Sequence, residues 1–138
     1  MSAALNCNIS FIGGGNMAQA LIGGLISRGL PTTRITVSDP VEQVRALLAE
    51  KEINVTDDNS AAIQDADIVV FAVKPQVLAQ VLQPLKGLVN DKLIISIVAG
   101  AEIATLASLL GTARIVRVMP NTPALVQTGA HGLYAHED

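Results

Sequence analysis

Apolar and polar residues follow one another along this chain in a repeating order that predicts strands and helices in alternation. Short runs of apolar, often β-branched residues, each ended by glycine, proline or a polar pair, are typical of strands buried in a parallel sheet. The predicted strands cover residues 8–12, 34–38, 53–55, 68–73, 93–98 and 114–119, and a last strand covers 129–136. The run at 68–73 is apolar throughout, as expected of a central strand that is covered on both faces.

The stretches between these strands carry apolar residues three or four positions apart, which is the spacing of a helix with one buried face. The first runs over residues 16–28 and is stopped by Gly29, and Asp39-Pro40 is typical of a helix start. Asn59 is predicted to cap a brief third helix. The residues predicted to line the buried faces are Ala18, Leu21, Ile22, Leu25 and Ile26, then Val41, Val44, Leu47 and Leu48, then Val77, Leu78, Val81, Leu82 and Leu85, and finally Ile103, Leu106 and Leu110.

Six strands with intervening helices predict an α/β fold, a doubly wound and mostly parallel sheet of the Rossmann type. Right-handed crossovers favour the strand order 3-2-1-4-5-6, to which the C-terminal strand adds one more. Residues 1–138 are predicted to form one domain. Ligands of such sheets bind outside the carboxyl ends of the strands, near the point between strands one and four.

Composition and charge narrow the range of functions. The chain has 138 residues, 50% of them hydrophobic, and a formal net charge of −3 with its nine Lys and Arg scattered. It has no basic stripe suited to nucleic acid, and its longest apolar run is too short to cross a bilayer. The single Cys7 excludes an internal disulfide, and the two histidines lack neighbouring ligands, so we expect no metal site. Because residues 1–8 carry no signal-peptide pattern, we expect a cytoplasmic protein.

The segment between the first strand and the first helix matches the pattern G-x-G-x-x-G/A. Gly13 permits a tight exit from the strand, Gly15 lets a pyrophosphate approach the backbone, and Ala18 allows the helix to lie close to the strand. Free amides at the positive end of the helix dipole favour phosphate binding. The motif therefore predicts a dinucleotide-binding domain whose phosphate site is formed by Gly13, Gly14, Gly15, Asn16 and Met17.

Asp39, directly after the second strand, has two interpretations. A carboxylate there can accept hydrogen bonds from both ribose hydroxyls and repel a 2′-phosphate, which favours NAD. An Asp before Pro40 is also an ordinary helix cap. Arg34 and Arg45 are the nearest cations, and neither lies where an NADP signature is expected. The choice between NADPH and NADH therefore stays open.

Charged residues near two other strands also have more than one interpretation. Lys74, at the end of strand four, either contacts a phosphate or a substrate carboxylate, or is simply an exposed lysine. Arg114 and Arg117 in strand six favour an edge strand with its arginines at the rim, and we assign them no chemistry.

Four segments of the chain form motifs that go beyond the glycine turn. The most specific is the run Met-Pro-Asn-Thr-Pro-Ala within residues 117–126. The others are residues 11–18 (FIGGGNMA), 72–76 (AVKPQ) and 96–100 (SIVAG). Together they resemble the pyrroline-5-carboxylate reductase family, and the resemblance covers essentially the whole chain. The resemblance implies that NADPH or NADH delivers hydride to the C=N carbon of 1-pyrroline-5-carboxylate, giving L-proline in the last step of proline biosynthesis.

The resemblance also implies roles for residues at the strand ends. Ser38 and Asp39 would lie near the ribose, Asn59 near the adenosine end, and Asn121 near the substrate. The residues expected along the nicotinamide are Ala72, Val73, Lys74 and Pro75 at the end of strand four, and Met119 and Pro120 at the end of strand six. Ala99 and Gly100, after strand five, are expected to contact the cofactor as well. No side chain is a convincing general acid, so no catalytic residue is assigned beyond the candidate Asn121.

Family members also carry a mostly helical second domain that forms the dimer and much of the substrate pocket. The sequence ends at Asp138, where that domain would begin. We therefore expect the chain to be the cofactor-binding part of a homo-oligomeric enzyme, truncated before that domain and inactive in isolation.

Three alternatives remain. β-Hydroxyacid dehydrogenases and other imine or ketone reductases share the glycine turn and lack the Met-Pro-Asn-Thr-Pro-Ala run. A dinucleotide-binding module without turnover is a second alternative. Methyltransferases are a third, although an acidic residue commonly precedes their turn, where this chain has Ser10, Phe11 and Ile12.

Overall fold

The computed structural model describes residues 7–89, 91–98, 103–111, 114–118 and 133–135, with backbone alone for Val118 and residues 133–135. The strands are β1 (Ile9–Ile12), β2 (Ile35–Ser38), β3 (Asn54–Thr56), β4 (Ile68–Phe71), β5 (Leu93–Ser96), β6 (Ile115–Val118) and β7 (Leu133–Ala135). The helices are α1 (Asn16–Ser27), α2 (Glu42–Ala49), α3 (Asn59–Ile63), α4 (Leu78–Leu82) and α5 (Ile103–Leu110). Short 3₁₀ turns occupy Thr32–Arg34, Pro75–Val77 and Gln83–Leu85.

The strands form one seven-stranded sheet in the order β3-β2-β1-β4-β5-β6-β7. All neighbours pair in parallel except β6 and β7, which are antiparallel. The predicted Rossmann-type order and the additional C-terminal strand are therefore confirmed. The expectation that strand six is an edge strand was wrong, because β7 pairs with its outer side and Arg117 lies opposite Tyr134 in the register.

Two apolar clusters cover the two faces of the sheet. On one face, α1 and α2 pack on β1 and β2, with Phe11, Ile22 and Leu48 among the buried residues. On the other, α3, α4 and α5 pack on β1, β4, β5 and β6, around Phe71 and Ile94. Burial on both faces explains why the central strands are continuous apolar runs rather than alternating ones.

The buried faces of two helices differ from their predicted ones. Val41 lies outside α2, as its N-cap, and is 47% exposed, while Leu47 lies beside the buried stripe and is 45% exposed. The helix predicted after residue 75 is divided into two 3₁₀ turns and α4, and Pro84, which has no N–H, lies in the second turn. Val77, in the first turn, is consequently exposed.

Helix α3 begins with a different cap from the predicted one. The Asp58 carboxylate accepts hydrogen bonds from the amides of Ser60 and Ala61, at 3.0 and 3.3 Å. Asp58 has the extended backbone of an N-cap, with φ −109° and ψ 109°, whereas Asn59 is already helical. The expectation that Asn59 is the cap was therefore wrong, and its side chain is available for another contact.

None of the helices in the described part of the chain is long and apolar enough to span a membrane.

Candidate functional site

The carboxyl ends of β1, β2 and β4 meet at one edge of the sheet and define the candidate site. The amide of Gly13 donates to the carbonyl of Ser38 at 2.8 Å, and the amide of Ala72 donates to the carbonyl of Ile12 at 2.9 Å. These two bonds join the segments that leave the three strands. They place the glycine turn, residues 13–15, between the loops that follow β2 and β4.

Gly13 occupies a position that other residues cannot adopt without strain. Its φ is +105°, in the left-handed region. A Cβ built on it would lie 2.6 Å from the Ala72 carbonyl oxygen, far inside van der Waals contact. The predicted tight exit from the first strand is confirmed, and the reason is the close approach of the loop after β4.

Gly14 is buried, and both of its peptide groups bind side chains of this chain. Its amide donates to Oδ2 of Asp39 at 2.8 Å, and its carbonyl accepts from Nε2 of Gln19 at 2.8 Å. A Cβ would lie 2.9 Å from Cγ1 of Val44 and 3.0 Å from Cγ1 of Val37. The turn is therefore packed against β2 and α2 as well as hydrogen-bonded.

Gly15 differs from Gly13 and Gly14 in that it is not closely packed. It is exposed, its backbone is extended (φ −74°, ψ −167°), and a Cβ built on it meets no atom of the described residues within 4 Å, its two chain neighbours aside. It is the N-cap of α1 and makes no side-chain capping bond. The first amides of an α-helix have no carbonyl partner within it, so the start at Asn16 and Met17 offers free N–H groups to an anion. Ala18 is fully buried, as predicted.

Asp39 is almost buried, with 9% of its surface exposed. Besides the bond from Gly14 to Oδ2, its Oδ1 accepts the amide of Val41 at 2.8 Å. Nη1 of Arg45, from α2, donates to the Asp39 backbone carbonyl, also at 2.8 Å. The interpretation of Asp39 as a ribose ligand stays a prediction, and the structure gives each of its carboxylate oxygens a backbone partner.

Ser38 and Asn59 are brought together beside Asp39. The Ser38 hydroxyl, 2% exposed, donates to Oδ1 of Asn59, which is half-buried at the start of α3. Hydroxyl, amide and the nearby guanidinium of Arg45 form a polar group at the end of β2. Such a set is suited to ribose hydroxyls and to a phosphate on them.

The segment after β4 borders the other side of the glycine turn. Ala72 and Val73 are half-buried, and Cγ1 of Val73 lies 3.3 Å from the position of a Cβ on Gly13. Lys74 and Pro75 are exposed, and Lys74 precedes the 3₁₀ turn Pro75–Val77. The other predicted site residues lie outside the described residues: Ala99, Gly100, Met119, Pro120 and Asn121.

Sequence reasoning did not identify Gln19, and it left Arg45 without a role. Gln19 faces back to the glycine turn from the first turn of α1, and no motif marks it. One feature of the sequence could have indicated a role for Arg45: it is a cation in the first turns of the helix that follows strand two. A surface cavity of about 570 Å³, lined by residues including Asp58, Gln64 and Lys92, contains no residue of the glycine turn. Within the described residues, no group of three potential ligands could hold a metal ion.

Comparisons with known proteins agree with this geometry. Residues 8–100 match the family described as "NADP oxidoreductase coenzyme F420-dependent". The chain is 50% identical over 134 residues to pyrroline-5-carboxylate reductase of Pasteurella multocida strain Pm70, covering 93% of this chain and 49% of that protein. With the Escherichia coli K12 enzyme of the same name the identity is 42% over 125 residues, covering 88% and 46%.

Solved structures of pyrroline-5-carboxylate reductases are also similar to this chain. A pyrroline-5-carboxylate reductase from Coxiella burnetii superposes with a TM-score of 0.81 at 40% identity, covering 87% of this chain and 46% of that one. Plasmodium falciparum pyrroline carboxylate reductase with NADP bound gives 0.75 at 32% identity, covering 88% and 45%. The chain thus spans about half the length of the curated relatives it matches.

Proposed function

The chain belongs to the family described as NADP oxidoreductase, coenzyme F420-dependent, and on that premise we propose that it is the dinucleotide-binding part of a pyrroline-5-carboxylate reductase. The reaction is the reduction of the C=N bond of 1-pyrroline-5-carboxylate to L-proline, in proline biosynthesis. The observation that carries the proposal is the exposed, side-chain-free Gly15 at the uncapped start of α1. The similarity to an NADP-bound reductase supports it.

The residues present fit a nicotinamide dinucleotide. Gly15 is the N-cap of α1 and has no side chain, so a pyrophosphate can approach the first amides of the helix, at Asn16 and Met17, which have no carbonyl partner within it. We propose that Asn59, half-buried at the start of α3 and bonded to Ser38, lies near the adenosine end of the cofactor. Bound at this site, the reduced nicotinamide supplies the hydride for the imine carbon.

The remaining cofactor contacts are assigned by their position after the other strands. We propose that Ala72, Val73 and the exposed Lys74 and Pro75 lie along the nicotinamide. We assign the same role to Met119 and Pro120, and a cofactor contact to Ala99 and Gly100, with Asn121 on the substrate side; these five residues lie outside the described part of the chain. The function of these residues is to hold the ring and exclude water from one of its faces.

Productive reduction also requires the imine to be held about 3–3.5 Å from the donor carbon in one orientation. In the segment 72–77, which directly follows β4, Lys74 is the only cation, and a single flexible ammonium would leave the substrate mobile. We propose that a further helical domain completes the substrate pocket and forms a homodimer. We also place the enzyme in the cytoplasm.

The first test is calorimetric titration of the 138-residue chain with NADPH and NADH, with S-adenosylmethionine as the control ligand. We expect binding of a nicotinamide dinucleotide and none of S-adenosylmethionine. Binding of S-adenosylmethionine alone would refute the proposal in favour of a methyltransferase.

The second test measures NADPH oxidation with saturating 1-pyrroline-5-carboxylate. We expect little turnover by this chain and rapid turnover by a version carrying the second half that the relatives have. An extended protein that binds NADPH and does not reduce the imine would refute the reductase assignment. Equal rates in the two proteins would refute only the role of the second domain.

A further inference from the structure

We propose that Asp39 is a positioning residue that acts through the glycine turn: with Gln19 it fixes the two peptide planes on either side of the Gly14 Cα, and it does not select between NADPH and NADH. The inference rests on the proposed function for the identity of the ligand. Its structural part, the contact between Asp39 and Gly14, can be tested without any ligand.

The two peptide planes that meet at the Gly14 Cα are each held by one side chain. The amide of Gly14 belongs to the peptide plane that joins it to Gly13, and Oδ2 of Asp39 accepts that amide at 2.8 Å. The carbonyl of Gly14 belongs to the next plane, which joins it to Gly15, and Nε2 of Gln19 donates to it at 2.8 Å. Both soft torsions of Gly14 are therefore fixed from outside the turn.

The second plane determines where the cofactor-facing amide points. In a trans peptide the C=O and N–H groups are rigidly opposed, so holding the Gly14 carbonyl against Gln19 directs the Gly15 amide the other way. Gly15 faces open space, where we place the pyrophosphate. Glycine loses more backbone freedom on ordering than any other residue, and this turn has three in a row. Without these two bonds the turn would become ordered only when the cofactor binds, and the lost entropy would weaken binding.

The surroundings of the carboxylate argue against a role in choosing the cofactor. Each oxygen of Asp39 already accepts a backbone amide, from Gly14 and from Val41, and only 9% of the residue is exposed. A ribose hydroxyl would have to share these acceptors. Arg45 donates to the Asp39 carbonyl at 2.8 Å, so its positive charge lies beside the same strand end. This charge offsets the repulsion that the Asp39 carboxylate would exert on a 2′-phosphate.

Three variants separate positioning from ribose recognition. Asp39→Ser retains a short side chain that can accept the Val41 amide and is too short to reach Gly14. Gln19→Met removes the other bond and no charge. Asp67→Ser is the matched control, because the Asp67 carboxylate also accepts a backbone amide, that of Asn8 at 2.9 Å, at the opposite end of β4.

The measurements are calorimetric affinities for NADPH and NADH and residue-resolved amide hydrogen exchange by NMR. We expect Asp39→Ser to weaken both cofactors by the same factor, about tenfold, since a hydrogen bond to a charged group typically contributes that much. Gln19→Met should weaken both equally and by less, and Asp67→Ser should change neither. Without cofactor, the Gly14 amide of Asp39→Ser should exchange about tenfold faster, while the Gly13 amide, bonded to Ser38, stays protected.

The outcomes that would overturn the inference are distinct from those that would overturn the proposed function. A shift of the NADPH-to-NADH affinity ratio in Asp39→Ser would show that Asp39 reads the ribose. Unchanged affinities, or unchanged exchange at Gly14, would show that the contact does not organise the turn. Should Asp39→Ser fail to fold, unequal losses in Gln19→Met would overturn the inference. A wild-type chain that binds neither cofactor would overturn the proposed function, and this inference with it.

Discussion

Replacing Gly15 by Val should remove dinucleotide binding while the fold stays intact. The backbone of Gly15 is extended, at φ −74° and ψ −167°, a conformation that β-branched residues adopt without strain. Apart from its chain neighbours, no described residue has a heavy atom within 4 Å of the position of its Cβ, so this part of the protein has room for the new side chain. The valine would instead occupy the space in front of the helix amides, where we place the pyrophosphate.

The expected magnitudes differ strongly between binding and stability. A hydrogen bond to a charged group contributes about 1.5–3 kcal/mol, so losing two amide–phosphate contacts weakens binding by on the order of 10²–10⁴-fold. Valine is a poorer N-cap than glycine, which costs α1 about 0.5–1 kcal/mol. For a chain of this size that lowers the Tm by roughly 2–5 °C.

Two other glycines provide matched comparisons. Gly23→Val makes the same substitution in α1, again with no heavy atom near the new Cβ, and should leave NADPH affinity unchanged. Gly13→Ala adds one methyl group at φ +105°, which strains the backbone by about 1–2 kcal/mol. Its Cβ would also lie 2.6 Å from the Ala72 carbonyl oxygen, so the loop after β4 must move and the fold should be destabilised severely.

The assay is calorimetric titration with NADPH, run beside thermal unfolding of each variant. The reasoning is refuted if Gly15→Val binds NADPH within a few-fold of the wild type, because the glycine turn would then not be the phosphate site. It is also refuted if Gly15→Val loses as much stability as Gly13→Ala, because the space around Gly15 would then not be open.

Three further substitutions test other parts of the structure. Arg45→Met should weaken NADPH binding about tenfold and NADH binding much less, because its guanidinium lies at the end of β2 and would attract a 2′-phosphate on a ribose bound there; equal losses in calorimetry would show that Arg45 does not contact that phosphate. Glu52→Gly should raise the free energy of unfolding in urea by about 0.5–1 kcal/mol, since Glu52 has a φ of 66°, and a loss would show that its side chain stabilises the turn. Lys92→Met should lower the free energy of unfolding by about 1–3 kcal/mol, because the buried ammonium donates to the Ala66 carbonyl at 2.8 Å. The exposed Lys51→Met is the control, and a similar loss there would mean that burial is not the cause.

The order of the elements and the place of the glycine turn follow from the amino-acid pattern alone. Strand and helix periodicities are local properties, so the fully apolar run at 68–73 and the helical spacing from Asn16 indicate their structures without any knowledge of the neighbours. Parallel strands joined by helices then admit few topologies, which is why the observed sheet order was predictable. The tight turn between β1 and α1 can also be predicted from the sequence, because it has no room for side chains and glycines mark it directly.

The contacts of the polar residues at the strand ends, by contrast, depend on how the chain packs in three dimensions. Asp39 in the sequence is suited both to a ribose and to a helix cap, because a carboxylate accepts hydrogen bonds in either role. Its bond to the Gly14 amide joins residues that are 25 positions apart, and the contact exists because β1 and β2 are adjacent and α2 is close-packed on them. The bonds of Gln19 to Gly14 and of Ser38 to Asn59 depend in the same way on side-chain direction after packing, which no local pattern encodes.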